Sequence, residues 1–480
     1  MTTQSEITGR AFGQVKVRGD RPYADITTWV LRDPQLAAQC SAAVDALEVA
    51  ARLETHGVSS RVAIDSFGYP DVFTAAEAVY ASLPFVDADP PVPTSMAKGG
   101  PVDLLRGALY AVPALFLPVV VTGFALHARW WVLPVGLTVA WGAGQASATV
   151  AWSLRGRGDE RSDSLVAFAS VVACALLCLA CAVLAGRLIG GNETSTVLAV
   201  AIAAYIAASG MLVFQRAEWM LAVCMVPAVA GSVLALGLLP VSITHRAASW
   251  CVVATAALVV VVANRHLLAR RWRRPGLVRA DRARAVRFFA YGLGCGLFIS
   301  VFIGFAAQLD GSRGALVIAV CPLLATLGLM EWQLRSFRSR ATSALATSPD
   351  LRRFAGRARV AFARSVGFYV VTLALLSFAG VEIGNARGAS YVPILLACVG
   401  ALGVAFFLAL LLATSGRVDL VLASWGASFT VLALLLAAAY VDHNHIAPLT
   451  GLDALLVASG TAILLLSLLS SRVLISPLSY

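Results

Sequence analysis

Hydrophobic residues come in long runs over most of this chain, and the runs stop at short polar segments. A helix rises about 1.5 Å per residue, so roughly twenty apolar residues cross a bilayer's hydrocarbon, about 30 Å thick. Twelve stretches meet that length: 107–128, 130–153, 164–186, 195–214, 218–240 and 248–264, then 288–308, 315–332, 366–386, 390–414, 418–440 and 453–475. The residues ahead of the first run follow another rhythm. Asp33 suits an N-cap and Pro34 a first turn, and Leu36, Cys40, Ala43, Val44, Leu47, Ala50 and Leu53 recur at three- and four-residue steps before Gly57. That spacing predicts one helix of about twenty residues with an apolar face. Ser59 or Ser60 then caps a short helix through Ile64. The turn Phe67-Gly68-Tyr69-Pro70 leads into an amphipathic stretch from Asp71 to Leu83, with Phe73, Ala76, Val79 and Tyr80 on its buried side.

The expected fold is therefore all-α. An irregular stretch 1–24 precedes a small helical domain 25–85, and a linker 86–105 carries Pro90, Pro91, Pro93, Gly99 and Gly100. Six spans follow over 106–264, a basic loop over 265–287, and six more spans over 288–480. Two six-span halves about a central loop are a recurrent transporter layout. No residue-level repeat accompanies it.

Arginine fixes the expected sidedness. Cationic segments flanking membrane helices stay on the cytoplasmic side. With the N-terminus inside, the inner segments hold Arg106, Arg155, Arg157, Arg161, Arg216, nine arginines from Arg265 to Arg287, eight from Arg335 to Arg364, Arg417 and Arg472. The outer segments hold Arg129, Arg187, Arg246, Arg313 and Arg387. An even number of spans with both termini cytoplasmic satisfies this division.

Composition narrows the class. A chain 59% hydrophobic and 13% charged has too little charge to cover water-soluble domains of this size. The net charge of +11 follows from membrane topology, so no nucleic-acid partner is implied. Lys16 and Lys98 are the only lysines, a skew of GC-rich genomes. With no secretory signal ahead of the first apolar run, the expectation is an actinobacterial plasma membrane.

Candidate chemistry is sparse. Gln145, Ser147 and Thr149 form the most polar patch within a span and are the candidate transport-cavity residues. The alternative for Gln145 is a hydrogen bond to a neighbouring helix. Glu331 and Arg335 stand one turn apart, as an ion pair or a gate. Glu218, Asp310, Glu382 and Asp419 fall at span ends, within reach of water. Arg270, Arg271, Arg273 and Arg274 in the central loop are candidates for contact with anionic lipid head groups, beside their ordinary topogenic role. Cys174, Cys178 and Cys181 share one face of the third span and read as packing residues ahead of a soft-metal site. Asp442, His443 and His445 are a weak metal pattern, so no metal or cofactor is expected. Prolines 113, 118, 134, 227 and 322 mark possible breaks in spans. The helical domain holds no nucleophile–base pair or phosphate loop, and it reads as a docking module for a cytoplasmic protein. The oligomeric state is left open.

The stretch Met330-Glu-Trp-Gln-Leu-Arg-Ser-Phe-Arg-Ser-Arg, the long cationic loop after it, and Ser415-Gly-Arg-Val-Asp-Leu resemble the multidrug/oligosaccharidyl-lipid/polysaccharide exporter superfamily, in particular its polysaccharide exporter branch. The resemblance covers about 107–475 in layout. It implies two six-helix bundles that expose a central cavity alternately to each side, acting on lipid-linked or polysaccharide envelope precursors. The expected function is thus exporter- or flippase-like. The alternative is a catalytically silent scaffold that carries the N-terminal domain to septa or hyphal tips of a filamentous actinobacterium. An enzyme is not expected, because the outer loops are too short to frame a catalytic site.

Overall fold

The computed structural model describes residues 25–84, 132–156, 193–235 apart from Arg216, 241–265, and 278–474 apart from 310, 311, 349, 350 and 444, with isolated helical positions between 169 and 183. The chain divides into two compact units, Met1–Ser95 and Met96–Tyr480. Among the described residues all regular structure is helical.

The first unit comprises α1 (Ile26–Leu31), α2 (Pro34–Ser41), α3 (Ala46–Thr55), the short α4 (Ser60–Val62) running into a π turn Ala63–Phe67, and α5 (Val72–Ser82). The single helix expected from Asp33 to Leu53 is two. Asp45 accepts from the Glu48 N–H at 2.8 Å and the Glu48 carboxylate accepts from the Val44 N–H at 2.9 Å, so a variant of the capping box, with Glu48 reaching one residue ahead of the cap, starts α3 and ends the run. The caps read at Asp33 and Ser59 are present, and Asp71 adds another. Asp33 takes the Leu36 N–H, Ser59 the Val62 N–H and Asp71 the Thr74 N–H. His56 closes α3, its ring Nδ1 2.9 Å from the Arg52 carbonyl oxygen.

Ile26, Val30, Leu36, Cys40, Ala43, Val49, Ala50, Leu53, Val72, Ala75, Ala76 and Val79 form the unit's core. Four residues assigned to that core stand outside it: Val44 is 77% exposed, Leu47 66%, Phe73 52% and Tyr80 38%. The break before α3 explains Val44 and Leu47, which the new helix start rotates off the buried stripe. On α5 the buried stripe is Val72, Ala75, Ala76 and Val79, small enough for close approach, and the larger rings lie one position aside.

In the second unit the described helices are α6 (Val132–Gly156), α7 (Glu193–Phe214), α8 (Glu218–Cys224), α9 (Val226–Ala235), α10 (Val241–Ala263), α11 (Arg279–Ala306), α12 (Ser312–Thr347), α13 (Leu351–Ala386), α14 (Val392–Thr414), α15 (Val418–His443) and α16 (Pro448–Val473). Six of them, α11 to α16, are long and apolar enough to cross a membrane, and Val200–Phe214, Glu218–Gly231 and Trp250–Ala263 are shorter apolar helices. The chain is an all-α protein of the multi-pass membrane type. The predicted first span, 107–128, and most of the third, 164–186, lie outside the described residues.

Three expectations change. The fifth predicted span is broken at Met225 into α8 and α9, because Pro227 in the first turn of α9 supplies no N–H to continue the ladder. The last third of the basic segment 265–287 is helix, since α11 starts at Arg279 and the Asp281 carboxylate accepts the Val278 N–H at 3.2 Å. The long cationic loop after Glu331 is no loop. It is the continuation of α12 and the beginning of α13, an antiparallel helical hairpin held by the Phe337–Phe362 ring pair and, at its tip, by Ala344, Phe354 and Ala358. Arginine suits helix interiors almost as well as leucine, so a charged sequence need not unwind.

α14 is the most enclosed helix. It packs on α12, α13 and α16, and Leu402, Phe407, Leu411, Leu323, Tyr369, Leu455 and Leu466 belong to one core. A second core joins α6 to the shorter helices through Ala151, Tyr205, Leu212, Leu221, Met225 and Val259.

Candidate functional site

Among the described residues α6 and α11 pack together extensively, and the crossing joins helices from the two predicted halves. Thr138, Gly142, Gln145, Thr149 and Ser153 recur at three- and four-residue steps and so share one stripe of α6. A Cβ built on Gly292 would stand 2.7 Å from the Gly142 Cα, and one on Gly296 would stand 2.6 Å from the Thr138 Cα. The two backbones therefore touch, which only small residues permit. Thr138 and Ser300 hydroxyls share a hydrogen bond of 2.6 Å at one end of the stripe, and Arg284 donates to the Ser153 hydroxyl at 3.3 Å at the other. Gly294, half a turn from Gly292 and Gly296, receives the Trp425 ring of α15. Trp425 packs on Phe298 and Phe406 with centroids 5.1 and 6.1 Å away.

Gln145 is half-buried on that stripe. Ser147 is two residues on, about 200° round the helix, so it faces away from Gln145 and Thr149. The Ser147 hydroxyl donates to the Ala143 carbonyl at 2.6 Å and the Thr149 hydroxyl to the Gln145 carbonyl at 2.9 Å. Both hydroxyls are used on their own helix, and the three residues do not converge as a ligand set.

Glu331 and Arg335 form an ion pair on α12, both half-buried, at the level of the Trp332–Phe368 ring pair. Arg338 donates to the Thr414 carbonyl and ties α12 to the C-terminal end of α14. Arg270, Arg271, Arg273 and Arg274 lie outside the described residues, as do Asp310 and the side chains of Cys174, Cys178 and Cys181.

Among the acidic residues, Glu382 is exposed, and Asp419 is exposed and paired with Arg287 at 3.2 Å. Glu218 departs from its expected access to water. It is 6% exposed, in the first turn of α8, where the N-terminal end of a helix favours a carboxylate. Buried Asp281 holds the same position on α11. Among the described residues no three metal-ligating side chains converge; Asp442 is exposed, and the His443 side chain lies outside them. In the first unit, burial pushes the Cys40 thiol up, which keeps it protonated and unreactive.

Sequence reasoning passed over the pair Gly292 and Gly296, although a small-x-x-x-small spacing was there to read. It had no means of finding Thr138 and Ser300, since a lone hydroxyl in an apolar run carries no pairing signal. Compared with protein-family models and with curated proteins, the chain matches none.

Proposed function

We propose that this chain is a multi-pass scaffold of a bacterial plasma membrane, with cytoplasmic termini, which presents its N-terminal helical unit to a protein partner at sites of envelope growth or septation. The observation that carries this reading is the surface of that unit. Residues 25–84 hold eight carboxylates and three arginines in a chain of net charge +11, and they leave Val44, Leu47, Phe73 and Tyr80 exposed. Tyr80 reaches from α5 to donate to the Val44 carbonyl at 2.9 Å, just ahead of α3, and Phe73, Glu77 and Tyr80 recur at three- and four-residue steps on one face of α5. An apolar patch with a charged rim is a protein-docking surface. The membrane unit supports the same reading, because two of the three residues nominated for a cavity, Ser147 and Thr149, spend their hydroxyls within their own helix.

The test removes residues 1–100 from a fluorescently tagged protein in its host. A scaffold loses its discrete position at tips or septa, and its phenotype with it. Unchanged position with full complementation overturns the proposal.

An exporter of lipid-linked or polysaccharide precursors is the second reading. It is favoured by the α6–α11 crossing, where two halves meet largely through glycine backbone and one hydroxyl pair, a contact that rocking bundles can make and break, with Gln145 on the crossing face. Uniform membrane label, and export retained after removal of 1–100, favour it over the scaffold.

A further inference from the structure

The helical hairpin that replaces the expected loop sets arginines at graded depths. α12 and α13 are each 36 residues long, about 54 Å, and so exceed the hydrocarbon thickness by about 24 Å. Their apolar parts end together at the Trp332–Phe368 pair, with centroids 5.8 Å apart, and such rings settle at the membrane–water interface. Beyond it the helices run antiparallel, as Phe337 against Phe362 and Arg357 donating to the Thr347 hydroxyl at 2.9 Å show.

Arg340 and Arg364 come together in this register. Arg364 lies about 6 Å and Arg340 about 12 Å along their helices from the aromatic pair, and the long side chains can meet between those levels. Head groups add about 5–8 Å per leaflet, so the Arg364 level falls within the head-group layer and Arg340 stands just outside it, its long side chain able to reach back into that layer. Three neighbouring cations are engaged, Arg335 with Glu331, Arg338 with the Thr414 carbonyl and Arg357 with Thr347, and Arg359 is exposed to solvent. Arg340 differs. Its Nη1 is buried without a hydrogen-bond partner, and Arg364 is close enough for the two positive charges to repel each other. A buried guanidinium N–H beside a second cation calls for an anion.

We propose that Arg340 and Arg364 hold the phosphate of an anionic membrane lipid between α12 and α13. A planar fork of N–H donors on each side matches the tetrahedral oxygens. Arg352 and Arg353, about 23 Å along α13 from Phe368, lie beyond head-group reach and take no part. The site is independent of the scaffold reading, since any multi-pass protein could use it.

The test is native mass spectrometry of the full-length protein in detergent, titrated with phosphatidylglycerol or with phosphatidylcholine. One phosphatidylglycerol should be retained per chain, and the R340Q/R364Q variant should bind it about tenfold more weakly. R340K/R364K, which keeps the charge and relieves concern over folding, should fall between, having lost the fork. R352Q/R353Q removes the same charge at the hairpin tip and should bind as the natural chain does. Equal losses in the two glutamine pairs, equal retention of phosphatidylcholine, or displacement of the lipid by millimolar inorganic phosphate would each overturn the assignment.

Discussion

Adding one methyl group at Gly292 tests whether the α6–α11 crossing is as tight as its geometry states. In Gly292→Ala the new Cβ stands 2.7 Å from the Gly142 Cα, 2.8 Å from the Trp141 carbonyl oxygen and 3.0 Å from the Gly142 nitrogen. Carbon atoms in contact prefer about 3.5–4.0 Å. All three obstacles are backbone, so no side chain can rotate away, and the helices must separate locally by about 1 Å. Overpacking of this kind costs about 1–3 kcal/mol. Separation also stretches the 2.6 Å Thr138–Ser300 hydrogen bond, a type worth about 0.6 kcal/mol between membrane helices. Alanine returns about 0.5–1 kcal/mol through its better helix propensity. The balance is a loss of about 0.6–3 kcal/mol. Gly400→Ala on α14 is the control, because no atom lies within 4 Å of its added Cβ. Thermal unfolding of the full-length protein in detergent, followed by tryptophan fluorescence, should show Gly292→Ala several degrees below the natural chain and Gly400→Ala at or above it. If Gly292→Ala melts with Gly400→Ala, the two backbones are not in contact and the argument from glycine fails.

Two further predictions concern the N-terminal unit. Asp45→Ala removes one arm of the capping box at α3 and should cost about 1 kcal/mol, read as faster amide exchange at Glu48 and Val49, with Ala51→Ser on the exposed face as an indifferent control. The Asp25 carboxyl is held below the usual aspartate range by the Thr28 hydroxyl and N–H, and the Asp71 carboxyl by the Thr74 N–H and hydroxyl. Groups with a depressed folded pKa contribute stability above their unfolded value and lose it as pH falls through the folded one. Pepsin cleavage within residues 25–84 should therefore rise below about pH 4, and Asp25→Asn with Asp71→Asn should flatten that rise; an unaltered pH profile in the double variant would show that these caps do not govern it.

Membrane class, all-helical architecture and the caps at Asp33 and Ser59 were legible because each depends on neighbours in sequence. Run length against bilayer thickness and an acidic side chain three residues before its N–H are local facts. The break before α3 was equally local and was overridden by an apolar rhythm that continued through Val44 and Leu47. Asp45 and Glu48 spell a capping box, and its pair of hydrogen bonds outweighs two exposed aliphatic residues. Phe73 and Tyr80 were misplaced for the opposite reason. Size suggested burial, but the stripe that packs is chosen by fit to α3, and Ala75 and Ala76 fit.

The candidate cavity was illegible for a physical reason that also governs the arginines. Polarity along a sequence says which side chains need partners and is silent on whether the partner is near or far in the chain. Thr149 finds its acceptor one turn back, at Gln145, while Thr138 finds Ser300 on another helix, and nothing in their types separates the two cases. Arginine behaves alike. Counting guanidinium groups between apolar runs predicts a side of the membrane, whereas the same residues, carried on unbroken helices, divide into those that close ion pairs, those that bind helix ends and the two that face each other at head-group depth. Depth along a rigid helix turns one topogenic signal into several chemical positions, and that depth exists only because α12 and α13 stay helical where the charge pattern alone suggested a loop.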